Sequence, residues 1–236
     1  MNNVKNIAGK IVSALFPRIR YSVMAYSSEG EDLILKRIFE KKKKGVYVDI
    51  GAHHPFRFSN TYLFYKRNWR GINIDPLPGT QALFNKYRPK DINLEMGVSG
   101  VLQELTYAIF NEPALNTFSA EKVLEYTQEP CYQVIDRKKV ETRPLADILD
   151  HYLDPGTPID FITIDAEGMD LEVLRSNNWD KYRPSYVLVE SQPFELEKEG
   201  DSELLCLMRE MGYSIFAKTY YTYFFRNNRL KGNEWL

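Results

Sequence analysis

The stretch Gly45-Val46-Tyr47-Val48-Asp49-Ile50-Gly51-Ala52-His53-His54 decides the fold. Its first half is a β-branched and aromatic run, the pattern of a strand buried on both faces. Its second half forces a sharp turn, where Gly51 supplies backbone freedom and lets a ligand approach closely. Ser59-Asn60-Thr61 then offers N-cap chemistry for a helix over 59–67. Strand, glycine turn, helix is how α/β proteins build a nucleotide site beyond the carboxyl end of a strand.

The next strand, Gly71-Ile72-Asn73-Ile74-Asp75, ends in an acid. Its distance from Gly51 is close to the ~20-residue spacing of ribose-binding acids. After Gly51 come Ala52, His53, His54 and Pro55, with no second glycine pair to bring a helix end up to a pyrophosphate. The turn therefore fits an adenosine ligand without phosphates, of which S-adenosylmethionine is the common one. An NAD- or nucleotide-dependent enzyme on the same architecture is the rival, and the missing glycines argue against it.

Composition narrows the class. The chain has 236 residues, 44% hydrophobic and 27% charged, enough for one sizeable core. A formal net charge of −1 provides no field for nucleic acid, so no nucleic-acid partner is expected. Cys131 and Cys206 form no metal-ligand spacing and read as reduced thiols of a cytoplasmic protein. No apolar run reaches the ~18 residues of a membrane span, and Ile7 to Phe16 lacks the marks of a signal peptide.

Along the chain, residues 1–25 read as an N-terminal helical arm and 26–236 as one domain. Val4, Ile7, Ala8, Ile11, Val12 and Leu15 recur at helical spacing until Pro17. The plain reading is a helix packed on the domain or on a partner subunit of a homo-oligomer. The others are a lid over the active site and a weak membrane-surface association through residues 1–20. Ser28 with Glu31 fits a capping box for the helix through Leu33 and Ile38. Glu31 reads as a first-turn acid or as a group facing a ligand's amino end. Asp91 to Val98 reads as a third strand, Gln103 to Phe110 as another, and 111–143 as irregular. Ile159–Ile164 and Tyr186–Glu190 are buried-strand runs, and Tyr213–Ala217 with Tyr221–Arg226 an antiparallel pair at the sheet edge. Alternating strands and helices predict a mostly parallel sheet covered on both faces.

Asp49, Asp75, Asp165 and Glu190 each stand at or near the end of an expected strand, with Glu167 and Asp170 beside them. That edge is where open α/β sheets bind ligands. Histidine at 53 or 54 can take a proton from a hydroxyl near neutral pH, and His54 is the favoured one. Asn116-Thr117-Phe118-Ser119 reads equally as a turn or as a substrate-facing loop.

These residues resemble the FkbM family of S-adenosylmethionine-dependent methyltransferases. The marks are Ser27…Gly30-Glu31-Asp32, Val48-Asp49-Ile50-Gly51-Ala52, and Ile164-Asp165-Ala166-Glu167-Gly168 followed by Leu174. The run from Gly51 through Ser59-Asn60-Thr61 to Asp75-Pro76 is similar to a branch found in bacterial surface-glycan clusters. Ser28 departs from the family, which often has Gln there. The resemblance implies a class I methyltransferase fold, a Rossmann-like three-layer sandwich with a seven-stranded sheet and an antiparallel strand at one edge. It implies Asp49, Gly51, Ala52 and His53 at the cofactor, Asp75 on its ribose, and Glu95, Met96 and Gly97 flanking adenine. Asp165 and Glu167 would face the reacting centre. The expected reaction is methyl transfer to a hydroxyl oxygen of a sugar, nucleotide-sugar or glycan in surface-polysaccharide biosynthesis. Transfer to another small molecule is the alternative. The expected base is His54 or Asp165, with Glu167, Glu190, Asn116 and Thr117 orienting the acceptor. A second mechanism places Mg²⁺ or Ca²⁺ on Asp165, Glu167 and Glu190, whose oxygens suit hard cations.

Overall fold

A computed structural model describes residues 21–191 and 202–230. Strands β1 (Val46–Ile50), β2 (Arg70–Ile74) and β3 (Ile92–Leu94) alternate with helices α1 (Glu31–Ile38), α2 (Tyr62–Lys66) and α3 (Thr80–Tyr87). After β4 (Gly97–Val98) and β5 (Gln103–Phe110) come α4 (Ala120–Tyr126) and β6 (Val134–Arg143). The chain then returns through α5 (Leu145–Tyr152), β7 (Phe161–Ile164), α6 (Asp170–Arg175) and β8 (Tyr186–Glu190). It closes with α7 (Glu203–Glu210), β9 (Tyr213–Lys218) and β10 (Thr222–Asn227).

Seven strands form one sheet in the order β3-β2-β1-β7-β8-β10-β9. β3, β2, β1, β7 and β8 run parallel. β10 runs antiparallel to both β8 and β9, so the expected antiparallel pair forms that edge. The period of two along the strands divides the core. Val48, Ile162, Ile164, Val187 and Val189 face one side, packed with α5, α6 and α7 residues such as Leu149, Leu174 and Met208. Tyr47, Phe161, Tyr186 and Leu188 face the other, packed with Leu35, Phe39, Phe64 and Trp69. Helices on both faces make a three-layer sandwich, and the carboxyl ends of β1, β2, β7 and β8 share one edge.

Several local expectations are corrected. The stretch 111–143 is not irregular: it holds α4 and the ten-residue β6, which pairs antiparallel with β5 in a small second sheet. The run from Asp91 to Val98 is not one strand. β3 ends at Leu94, and Gly97 and Val98 pair instead with Thr142 and Arg143 of β6. Gly97 packs so tightly there that a Cβ would lie 2.8 Å from the Phe118 ring. Ser28 does not cap α1. Ser27 Oγ donates to Asp32 (2.8 Å), and the Asp32 N–H donates back to Ser27 Oγ (3.2 Å). The helical pattern expected over 4–15 lies outside the described residues. No helix among the described residues is long and apolar enough to cross a membrane.

Candidate active site

The turn after β1 is held before any ligand enters. The N–H groups of Gly51 and Ala52 both donate to the Ile74 carbonyl, at 3.0 and 3.1 Å. Gly51 has φ 76, and a Cβ on it would sit 1.7 Å from the Asp165 carbonyl oxygen. The glycine is thus demanded by the neighbouring strand end as much as by a ligand. His53 follows in left-handed backbone (φ 52) and donates its N–H to Asp75 Oδ2 at 2.7 Å. The other Asp75 oxygen accepts from the Leu77 N–H (2.9 Å) and from Thr80 Oγ1 (3.3 Å). Burial nonetheless lifts the Asp75 carboxyl to about 6.

These residues line a cavity of about 700 Å³, counted with its open mouth. Its walls carry His53, Phe58, Met96, Tyr107, Asn116 and Phe118, with Asp75, Asp165 and Glu167 as its acids. Aromatic and aliphatic walls interleaved with placed polar groups suit a ligand that is itself part apolar and part polar. His53 Nε2 is buried there without a protein partner. Burial, with Arg57 nearby, lowers its pKa to about 4, so the ring is neutral at physiological pH.

A second cavity, of about 1180 Å³, opens beside it between α4, α6 and the ends of β7 and β8. Lys122, Tyr126, Glu190, Leu204 and Tyr221 line it. A third, of about 680 Å³, runs between residues 28–31 and the strand ends, with Glu31, Asn60 and Thr163 in its wall. All three meet at Asp165 and Glu167.

The meeting point is acidic. One carboxylate oxygen each from Asp165, Glu167 and Glu190 lies within 4.8 Å of the others. Asp165 is solvent-exposed where the cavities open onto one another. Desolvation and the neighbouring Glu190 drive its pKa well up. Desolvation lifts Glu167 to about 7, against a hydrogen bond from the Tyr126 hydroxyl that favours its charged form. The turn that presents them is unusual: Glu167 has φ 46 and Gly168 φ 96. Asp170 braces it, accepting from the Ala166 N–H (2.9 Å) and the Gly168 N–H (3.2 Å). Thr117 Oγ1 donates to the Glu167 carbonyl at 2.7 Å. With both pKa values raised, Asp165 and Glu167 hold a shared proton or a cation more readily than two full negative charges.

The other expected site residues divide. Met96 and Gly97 line the first cavity, but Glu95 does not: it accepts from the Gly79 N–H (2.8 Å) and caps α3. Asp49 lies beneath the cavity floor, where it accepts from Thr61 Oγ1 and burial lifts it to about 6. Beside it, the fully buried Arg88 donates to Thr61 Oγ1, to the Tyr47 hydroxyl and to Asp91 Oδ2. Ala52 is buried and acts through its N–H. Asn116 lines the first cavity, its Oδ1 accepting from the Phe110 N–H (2.7 Å). Glu31 accepts from Thr222 Oγ1 (3.1 Å) and from the Glu29 N–H (2.8 Å). His54 lines none of the three cavities. Its Nδ1 accepts from the N–H groups of Phe56 (3.2 Å) and Arg57 (3.1 Å), a turn cap. Tyr126, Phe58 and Tyr107 were not anticipated. Tyr126 belongs to a helix that no hydrophobic periodicity announces.

Fold and site together define a class: a Rossmann-like α/β protein whose first chamber is joined to a second by a carboxylate cluster. The match to a family model makes the class specific. The model of the methyltransferase FkbM domain matches residues 49–215, most of the chain. The chain belongs to this family, and methyl transfer is its class of reaction. A search of curated proteins finds no match. Among solved structures, the chain is similar to a proposed methyltransferase, yhhF, of Escherichia coli (10% identity, 87% of this chain and 90% of that one, TM-score 0.45). It is also similar to a proposed type 11 methyltransferase of Sulfolobus solfataricus (13%, 88% and 98%, TM-score 0.45). A third is TrmK of M. capricolum in complex with S-adenosyl-homocysteine (12%, 83% and 68%, TM-score 0.40).

Proposed function

We propose that this methyltransferase moves the methyl group of S-adenosylmethionine to a hydroxyl oxygen of a sugar or glycan. The observation that carries the reading is the junction of two chambers at Asp165 and Glu167. The first chamber takes the adenosine, with Asp75 accepting from the ribose hydroxyls and His53 and Met96 beside the base and sugar. The amino-acid end runs toward Glu31 and Asn60 in the third cavity. The sulfonium methyl then points at the acid cluster. The acceptor enters the second chamber, where Tyr126 and Tyr221 offer ring faces and Glu190 and Glu167 accept hydroxyl protons.

The transfer is an in-line displacement. The acceptor oxygen forms the new C–O bond, the S–C bond breaks, and neutral S-adenosylhomocysteine leaves. The hydroxyl proton passes to the Asp165–Glu167–Glu190 cluster. A carboxylate with a pKa lifted toward 7 is a better base than an ordinary one. His54 has no part in this reading, since its Nδ1 accepts two turn N–H groups, which leaves the proton of the neutral ring on Nε2. A second reading puts a divalent cation on the same three carboxylates, whose oxygens lie close enough to share one. Such an ion would lower the pKa of the acceptor hydroxyl. The biosynthesis of bacterial surface polysaccharide is the setting that the glycan-cluster resemblance favours.

Calorimetric titration with S-adenosylhomocysteine, followed by turnover on a panel of sugars and nucleotide-sugars with EDTA or Mg²⁺, tests this. Asp165→Asn and Glu167→Gln should each lower turnover by about 10²-fold or more while keeping the product's affinity within about threefold. Near-normal turnover in both variants overturns the base assignment. Loss of activity in EDTA restored by Mg²⁺ selects the cation. No binding by the folded protein overturns the cofactor.

A further inference from the structure

Two loops face each other across the first chamber. One, residues 53–58, begins and ends in left-handed backbone, at His53 (φ 52) and Phe58 (φ 55). Neither is glycine, so both conformations are held by their surroundings. The other loop, residues 112–116, contains the short turn Pro113–Leu115. His53 and Phe58 line the chamber from one side, and Pro113, Ala114 and Asn116 from the other.

A fork joins the loops. Arg57 Nη1 donates to Glu112 Oε1 at 2.9 Å, and Nη2 to Oε2 at 3.0 Å. This two-bond geometry is the best-oriented form of an arginine–carboxylate pair. The guanidinium also lies 4.4 Å from the centre of the Phe58 ring. Glu112 Oε1 accepts from the Ala114 N–H (3.1 Å), so the same carboxylate organises the facing wall. The two side chains are 43% and 34% exposed, which places the pair at the rim of the chamber rather than in its interior. A rim ion pair adds little to folding stability and opens readily, as a fastener must.

We propose that Arg57 and Glu112 are positioning residues that fasten the two walls over the bound cofactor and set how fast it leaves. This rests on the reading of the first chamber as the cofactor's. Neither residue touches the reacting atoms. Both act through Phe58 and the 113–115 turn, so the chemical step is spared and the residence time is not.

Stopped-flow binding of S-adenosylhomocysteine to the full chain tests it, with variants Arg57→Ala, Arg57→Lys, Glu112→Gln and the double R57A/E112Q. Gln at 112 keeps an acceptor for the Ala114 N–H while removing the charge. R57A and E112Q should each speed dissociation about 10-fold, since such changes act mainly on off-rates. The double variant should release no faster than either single one, because each has already broken the same pair. R57K, a point charge without the fork, should fall between. High salt should bring the wild type toward the variants. Single-turnover methyl transfer at saturating cofactor should stay unchanged. Dissociation rates equal to wild type, or single effects that multiply in the double variant, overturn the fastening role while leaving the cofactor reading intact. Wild-type protein that binds no S-adenosylhomocysteine overturns both.

Discussion

A Cβ on residue 51 would stand 1.7 Å from the carbonyl oxygen of Asp165, so Gly51 and the end of β7 are built around each other. The first turn of the first chamber and the acid at the junction of the chambers are one packed unit. Gly51→Ala must push β1 from β7 or twist the turn out of its φ of 76. We expect it to lower stability by about 1–3 kcal/mol, as strain of this kind does, and to abolish cofactor binding. Urea melts and calorimetry on the one variant read both. A Gly51→Ala protein with native affinity contradicts this coupling.

Asp75 carries a pH signature. Its pKa of about 6 means that the empty chamber holds a protonated acid below that pH. The ribose hydroxyls need an acceptor, so affinity for S-adenosylhomocysteine should rise with pH through about 6 and level off above it. Asp75→Asn should bind more weakly and lose that dependence. In the empty protein the sign for stability is opposite. The raised pKa adds stability that is full below the unfolded value and is lost as pH rises through 6. Thermal melts of D75N against wild type at pH 4 and pH 7 should show the variant gaining ground at pH 7.

Arg88 is buried with its charge answered by Asp91, and it also binds Tyr47 and Thr61 beneath the chamber floor. Arg88→Met strands Asp91 in the core, and breaking a buried pair in this way typically costs about 3–5 kcal/mol. Urea denaturation measures it. A loss below 1 kcal/mol would show that the network is not what holds the floor.

The two histidines should separate cleanly. His53 lines the first chamber and its Nε2 is buried without a protein partner, so His53→Ala should weaken cofactor binding by about 10-fold, the worth of one good contact. His54→Ala removes only a turn cap and should leave turnover within about threefold, with Asn at 54 recovering the cap. A large fall in turnover for H54A at unchanged cofactor affinity would restore it as the base.

The central strands were legible because both faces of each are buried, which leaves continuous apolar runs such as Tyr186–Val189 between turn signals. The acids beyond them were legible for the same reason: a charge ending such a run marks the sheet edge. What escaped was long-range. β6 reads Val134-Ile135-Asp136-Arg137-Lys138-Lys139 and is mostly exposed, so no alternation marks it. It exists because β5 pairs with it. Asp49 looked like a ligand group because nothing in its neighbourhood announces that Arg88 comes up beneath it. That the His54 Nδ1 caps a turn was hidden because a ring nitrogen's partners depend on which N–H groups the turn points at it. The Arg57–Glu112 fork lies between loops that only the folded chain brings together.

The small second sheet has a geometric property of its own. Its excursion leaves the core at β4 and comes back at the end of β6, and these two ends are neighbours: Gly97 pairs with Thr142 and Val98 with Arg143. The Ser99 N–H bonds to the Arg143 carbonyl, and the Ser99 and Thr142 hydroxyls lie 2.6 Å apart. Entry and exit are stitched together at the base, so residues 99–141 form one closed excursion from the main sheet. That excursion carries Tyr107, Asn116, Phe118 and Tyr126, part of the walls of the first and second chambers. The shape of much of that wall is therefore set by one closed excursion, while the main sheet by itself holds Asp75, Asp165 and Glu190.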